Sequence, residues 1–109
     1  MVSKEAQEKI SRLQLLEQNL QNLVGQRQQF QGQLLEVESA LRELASAPEA
    51  YRIIGNLMLK SKPEELTKDL SQKKELLDLR MKTFEKQENQ LKEKAESLRQ
   101  EVLAVMKAP

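Results

Sequence analysis

The chain has 109 residues, of which 39% are hydrophobic, 32% charged and 3% aromatic. Its 18 basic and 17 acidic side chains give a net charge of +1, and it contains no cysteine and no histidine. These features exclude a disulfide-built scaffold. They also argue against a nucleic-acid binder, which typically has a basic surface with aromatic stacking residues, and against an enzyme, because the usual metal ligands and the usual general base are missing. The composition is typical of long helices paired along a narrow seam.

Nothing in the sequence indicates a membrane or secretory segment. No apolar run approaches the roughly 20 residues that a transmembrane helix needs. The first ten residues, MVSKEAQEKI, lack the apolar core of a signal peptide. The three glycines are isolated, so no phosphate-binding loop is present. We therefore expect a cytoplasmic protein with no membrane partner, no nucleic-acid partner and no cofactor.

The first arm, residues 1–47, is predicted to be a coiled-coil helix. Its seam residues alternate spacings of three and four, as a and d positions of a heptad do. They are Leu13, Leu16, Leu20, Leu23, Arg27, Phe30, Leu34, Val37, Leu41 and Leu44. Arg27 either pairs with a carboxylate of the partner helix and helps to fix the register, or packs its stem on the seam while its guanidinium reaches water. We favour the second interpretation. Pro48 ends the arm because it lacks an amide hydrogen.

Two glycines, Gly25 and Gly32, lie one heptad apart on the face of the first arm opposite the seam. Each glycine costs about 1 kcal/mol relative to alanine in a helix interior. Either they soften the arm so that it can bend, or they are tolerated substitutions on a long helix. We favour the second interpretation.

Residues 48–62 are predicted to form a β-hairpin. Two β-rich runs, YRII and LMLK, flank the pair Gly55-Asn56, which is typical of a two-residue type II′ turn. In that register one face carries Ile54, Leu57 and Leu59. The other face carries Tyr51, Ile53 and Met58. An isolated two-stranded hairpin with two apolar faces is marginal in water, so we expect these residues, with Gly55 at the turn, to form an oligomerisation element that needs partner strands.

The second arm, residues 63–109, is predicted to be another coiled-coil helix. We expect Ser61 to cap it, Glu64 to complete a capping box, and Pro63 to occupy the first turn. One seam column is apolar throughout, and it consists of Leu70, Leu77, Phe84, Leu91, Leu98 and Val105. The companion column is mixed, and it consists of Thr67, Lys74, Met81, Glu88, Ala95 and Val102. The seam should therefore be looser near Lys74 and Glu88. Because the connection is short, the two arms should pack antiparallel.

Apolar residues near both termini form a candidate binding surface, here called the tip residues. They are Val2, Ile10, Leu13, Val102, Leu103, Val105 and Met106. They either form an apolar groove where the coiled coil opens, or merely finish the coiled coil and fray. The residues themselves favour neither alternative.

The run AYRIIGNLMLK between two heptad helices resembles the β class of prefoldin, the chaperone also called GimC. The resemblance is carried by Tyr51, the run Ile54-Gly55-Asn56-Leu57 and Lys60, after the Pro48-Glu49 break. It covers nearly the whole chain. In having a single hairpin the chain resembles the β class, and in lacking long tails it resembles the archaeal members of that class. The chain is therefore interpreted as one prefoldin β-like domain spanning residues 1–109.

The resemblance implies an assembly and a function. It implies a hexamer of two α-class subunits and four β-class subunits, including further copies of this chain, whose hairpins join a multi-subunit β-barrel. It also implies an ATP-independent holdase that captures unfolded or nascent polypeptides with its tip residues and transfers them to a group II chaperonin. Two alternatives remain, a structural coiled-coil tether that binds one specific partner and a homo-oligomer of this chain alone.

Overall fold

The computed structural model describes residues 3–107. Its elements, in chain order, are helix α1 (Lys4–Leu44), strand β1 (Ala50–Ile54), strand β2 (Leu57–Ser61) and helix α2 (Pro63–Lys107). This order confirms the predicted fold class of two long helices joined by one central antiparallel hairpin. Within the described residues no helix is long and apolar enough to cross a membrane.

Helix α1 begins and ends where local chemistry dictates. The Ser3 hydroxyl accepts a hydrogen bond from the Ala6 amide at 3.1 Å, which satisfies one of the unpaired donors of the first turn. At the other end the Ala45 amide still bonds to the Leu41 carbonyl at 3.2 Å. The next two amides instead reach carbonyls three residues back, so the last turn tightens before Pro48. The helix therefore ends shortly before Pro48, as predicted.

The start of α2 corrects one prediction. Ser61 belongs to β2, where it pairs with Ala50, and it does not cap the helix. The first backbone hydrogen bond of α2 runs from the Leu66 amide to the Lys62 carbonyl at 3.2 Å, which makes Lys62 the cap position. The predicted capping box from Ser61 to Glu64 is therefore wrong, because the strand extends one residue further than expected. Pro63 occupies the first helical position, as predicted.

The β-hairpin has the predicted register. Tyr51 pairs with Lys60, Arg52 with Leu59, Ile53 with Met58 and Ile54 with Leu57. Gly55 has a φ of 59°, and no other described residue has a positive φ. A positive φ at the first turn residue alone is the signature of a type II′ turn, which glycine adopts without steric cost.

The two helices contribute to two compact units. One unit combines Met1–Gln28 with Lys82–Pro109, and the other is Gln29–Met81. In the first unit the buried apolar side chains are Ala6, Ala95, Leu98 and Val102. In the second unit they are Val37, Ala50 and Leu77. Apart from Ala50 in β1, all of these residues occupy a or d positions of the heptads, so the seam is the core of each unit.

Contacts within the first unit give the direction of helix packing. Glu17 and Arg27 of α1 are paired with Arg99 and Glu88 of α2, respectively. As α1 advances, its partner on α2 therefore moves back along the sequence, which confirms antiparallel packing in this unit. In the second unit the guanidinium of Arg80 lies over the Phe30 ring, 5.3 Å from its centroid.

Candidate functional site

The hairpin carries half of the exposed large apolar side chains of the described chain. Six large side chains on it keep between 46% and 69% of their surface accessible. They are Tyr51, Ile53, Ile54, Leu57, Met58 and Leu59. Soluble proteins rarely leave a contiguous apolar patch of this kind uncovered, and such patches mark interaction surfaces.

Both faces of the hairpin contribute to this exposure. Because side chains alternate along a strand, the pairing Ile54–Leu57 places these residues on one face together with Leu59. The pairing Ile53–Met58 lies on the other face, beside Tyr51. The predicted division of the hairpin into two apolar faces therefore follows directly from the observed register.

A cavity of about 530 Å³ lies at the root of the hairpin. Its apolar wall comes from both helices and from β1, and includes Ala40, Leu44, Ala50, Leu66 and Leu70. Ala50 lies on the same strand face as Ile54, four residues away along β1, so the cavity continues the face that carries Leu57 and Leu59.

The tip residues separate into two groups. Val2 lies outside the described residues. Leu13, Val102 and Val105 hold a or d positions, where Val102 is buried and the other two are half-buried. These three residues complete the seam. The remaining residues lie off it: Ile10 is half-buried, whereas Leu103 is 42% and Met106 57% exposed. The predicted set therefore mixes core residues with residues that a partner could reach.

An ion pair indicates which side of the seam carries the exposed tip residues. Arg99 donates from Nη2 to Oε1 of Glu17 over 3.2 Å, and both residues hold e positions of their heptads. The e positions of the two helices therefore flank the same side of this unit. Ile10 and Met106 also hold e positions, and Leu103 holds the adjacent b position. Consequently Ile10, Leu103 and Met106 lie on one side of the seam.

The sequence prediction missed an exposed leucine on the opposite side. Leu15 is 56% exposed and lines a groove of about 720 Å³ with Leu16 and Leu98 of the seam. Charged side chains border this groove, among them Arg12 and Glu93. The sequence offers one indication that Leu15 is exposed: it holds a c position, outside the a and d seam, beside the seam residue Leu16. A search for heptad seams passes over such a residue.

Arg27 pairs with a carboxylate. It donates from Nε to Oε1 of Glu88 over 2.6 Å, and the two side chains are 26% and 7% exposed. Glu88 is the single buried charged residue in the part of the chain that the structure describes. The favoured interpretation, in which the Arg27 stem packs on the seam and its guanidinium reaches water, is therefore wrong, and the alternative of a carboxylate partner on the other helix is the one observed. Lys74, the other charged residue of the mixed column, is half-buried and pairs with Asp78 on its own helix at 3.5 Å.

Comparisons with known proteins agree with this architecture. A family model described as "Prefoldin subunit" matches residues 7–108. The prefoldin subunit beta of Caldivirga maquilingensis is 37% identical, over 91% of this chain and 84% of its own length. That of Archaeoglobus fulgidus is also 37% identical, over 83% and 80%. The crystal structure of the prefoldin beta subunit from Thermococcus strain KS-1 superposes with a TM-score of 0.93 at 29% identity, covering 100% of this chain and 98% of that one.

The fold thus defines a coiled-coil protein of the helix–hairpin–helix class, with an apolar hairpin between its two helices. The chain belongs to the prefoldin subunit family, and its relatives are β subunits of archaea. The resemblance drawn from the hairpin motif is confirmed. Members of this family are non-enzymatic chaperone components that form a complex with other prefoldin subunits.

Proposed function

We propose that this chain is an ATP-independent holdase subunit, a single prefoldin β-like domain of residues 1–109 with the hairpin in residues 48–62. It captures unfolded or nascent polypeptides in the cytoplasm with its tip residues and passes them to a group II chaperonin. The observation that carries client capture is the exposure of Leu103 and Met106 on one side of the seam, next to half-buried Ile10.

Assembly is the first part of this proposal. Two α-class subunits and four copies of this chain join their hairpins in a multi-subunit β-barrel. The exposed apolar side chains on both hairpin faces support this assembly, because neighbouring strands would cover them. The cavity at the hairpin root supports it further, since it continues one of these faces and leaves room for a neighbour's side chain.

Client capture is the second part. Leu103 and Met106 offer a small apolar area, which suits weak contacts with many sequences, and the flexible methionine adapts to different partners. Several such surfaces on one complex raise the effective concentration of binding sites. Modest contacts can then hold an unfolded chain while each contact still releases it, so neither ATP nor a deep pocket is needed.

The test is suppression of aggregation by the reconstituted complex. We expect Leu103→Ser with Met106→Ser to lose most of the protection of several unrelated unfolded proteins, with helicity unchanged. Leu15→Ser is the matched control, since Leu15 is 56% exposed, as Met106 is at 57%, but lies on the other side of the seam. It should retain protection. A parent complex that ignores unfolded proteins would contradict the holdase proposal and favour a structural tether. Release of bound client on addition of a group II chaperonin tests the transfer step.

A further inference from the structure

One ionic pair interrupts the otherwise apolar core of the first unit. Arg27 and Glu88 both hold a positions of the seam, and their side chains meet at 2.6 Å. No buried side-chain polar atom of the described residues lacks a hydrogen-bond partner, so this pair is satisfied where it stands. A buried pair of this kind adds little net stability over an apolar pair of similar volume, and its best-attested use is to select one packing arrangement.

A shift of the helices by one heptad would break this pair. Arg27 would then meet Met81 or Ala95, which hold the equivalent positions of α2. Glu88 would meet Leu20 or Leu34 of α1. Either shift keeps most of the a and d columns in contact, because the heptads of both helices repeat without a gap. The shifted arrangements lose the Glu17–Arg99 contact and one heptad of seam at an end, and they leave two charges against apolar side chains.

The connection between the helices does not by itself forbid such a shift. On one side only Lys62 separates β2 from α2. On the other side residues 45–49 separate α1 from β1. These five residues are coiled into turns, and fully extended they would span about 17 Å. A shift of seven residues moves a helix by about 10 Å along its axis, and uncoiling these turns supplies length for such a movement.

We propose that the Arg27–Glu88 pair selects the register in which α1 and α2 pack against each other. This register brings Glu17 to Arg99, and thereby puts Ile10 next to the stretch of α2 that carries Leu103 and Met106. The pair thus determines which apolar side chains converge near the chain ends. The inference concerns the folded chain alone and stands whether or not those side chains bind unfolded polypeptides.

Distances between spin labels test the register directly. The chain has no cysteine, so introduced cysteines are the only attachment points. Ser11→Cys with Lys86→Cys places one label on each helix, at exposed positions of the same unit. Ser11→Cys with Gln26→Cys places both labels on α1 and controls for helix integrity. Labelled chain is diluted into unlabelled chain, so that only labels within one molecule contribute to the measured distance.

Three backgrounds are compared by pulsed electron paramagnetic resonance. With Arg27 and Glu88 intact, one narrow distance is expected between the helices. With Arg27→Leu and Glu88→Leu, a second population is expected whose axial separation differs by about 10 Å, the length of one heptad. With Arg27→Glu and Glu88→Arg, the reversed pair should restore the single distance.

Two results would overturn the proposal. A single unshifted distance in the double-leucine variant would mean that the connection or the apolar seam sets the register unaided. A shifted population in the reversed-pair variant as well would mean that any change at these two positions disturbs the helix register, and that the ion pair itself does not select it. The double-leucine variant is expected to fold, because leucine suits a coiled-coil seam, and the distance within α1 verifies that it has done so.

Discussion

Arg52 of β1 donates a hydrogen bond from Nη2 to the Asp69 carboxylate of α2, which ties the hairpin to the helix that follows it. Both side chains are about half exposed, so the pair contributes little stability on its own. Its consequence is orientation. Arg52 shares a strand face with Ile54, so the contact anchors to α2 the face that carries Leu57 and Leu59. The apolar side chains of the hairpin are therefore held in a defined position relative to α2, from which they would act in the proposed assembly.

A lysine in either hairpin face should therefore prevent assembly. We expect Ile53→Lys or Leu57→Lys to weaken subunit association at least about 100-fold, because burying an unpaired ammonium costs several kcal/mol. Sedimentation velocity measures the association, and circular dichroism should find the helix content unchanged. Leu35→Lys is the matched control, since Leu35 is 59% exposed on α1 and lies outside the hairpin. Normal assembly of either hairpin variant would rule out the hairpin as the assembly element.

The Arg27–Glu88 pair should respond asymmetrically to removal of its members. Arg27→Leu strands the buried Glu88 carboxylate, and we expect it to lower the free energy of unfolding by about 2–4 kcal/mol. Glu88→Leu leaves Arg27, whose long stem lets the guanidinium reach water, and should cost only about 1 kcal/mol. The double leucine variant should lie within about 1 kcal/mol of the parent. Urea unfolding measures all three, and equal losses in the single variants would contradict this account of the pair.

The glycines should separate into two kinds. A Cβ added at Gly25 or Gly32 meets no atom within 4 Å, so alanine should stabilise α1 by about 1 kcal/mol at each position. Gly55 has equally open surroundings, but its φ is +59°, so Gly55→Ala should destabilise the hairpin by about 1–2 kcal/mol. Thermal unfolding shows whether each alanine substitution raises or lowers the stability. If Gly25→Ala with Gly32→Ala gains stability but loses protection of large clients, the glycines soften the arm, contrary to the interpretation favoured from the sequence.

The pH dependence of one surface carboxylate also follows from the structure. Gln100 donates to Oε1 of Glu96 at 3.0 Å and Arg99 donates to Oε2 at 2.6 Å, which holds the pKa of Glu96 below its ordinary value. Because the folded-state pKa is the lower one, this stabilisation is present above the unfolded-state pKa and is lost as the pH falls through the folded-state pKa. Gln100→Ala should raise the pKa of Glu96, as carboxyl carbon shifts in an NMR titration would report. An unchanged titration would mean that Gln100 does not hold the carboxylate in solution.

The sequence was sufficient to predict those features that depend on residues close together in the chain. Glycine at the first turn position determined a two-residue turn, and the turn determined every pair from Tyr51–Lys60 to Ile54–Leu57. The unbroken heptads likewise identified the seams of both helices. The cap of α2 was misassigned because β-pairing of Ser61 with Ala50 competes with capping, and sequence spacing alone does not decide between them.

Features that depend on the relative register of the helices could not be predicted. Arg27 and Glu88 lie 61 positions apart, and neither heptad column indicates that these two residues are partners. The same limit applies to the tip residues. Only the Glu17–Arg99 contact shows that Ile10, Leu103 and Met106 lie on the same side of the seam. Leu15 lies on the other side. Residue spacing within one helix contains no information about which partner residue lies across the seam.

Native mass spectrometry would show the proposed assembly itself, with this chain measured alone and then mixed with an α-class prefoldin subunit. We expect mixing to produce one complex of two α subunits and four copies of this chain. We also expect that Leu57→Lys abolishes this complex and Leu35→Lys does not. A stable homo-oligomer that is unchanged by the α subunit would contradict the proposed assembly and indicate a self-associating scaffold.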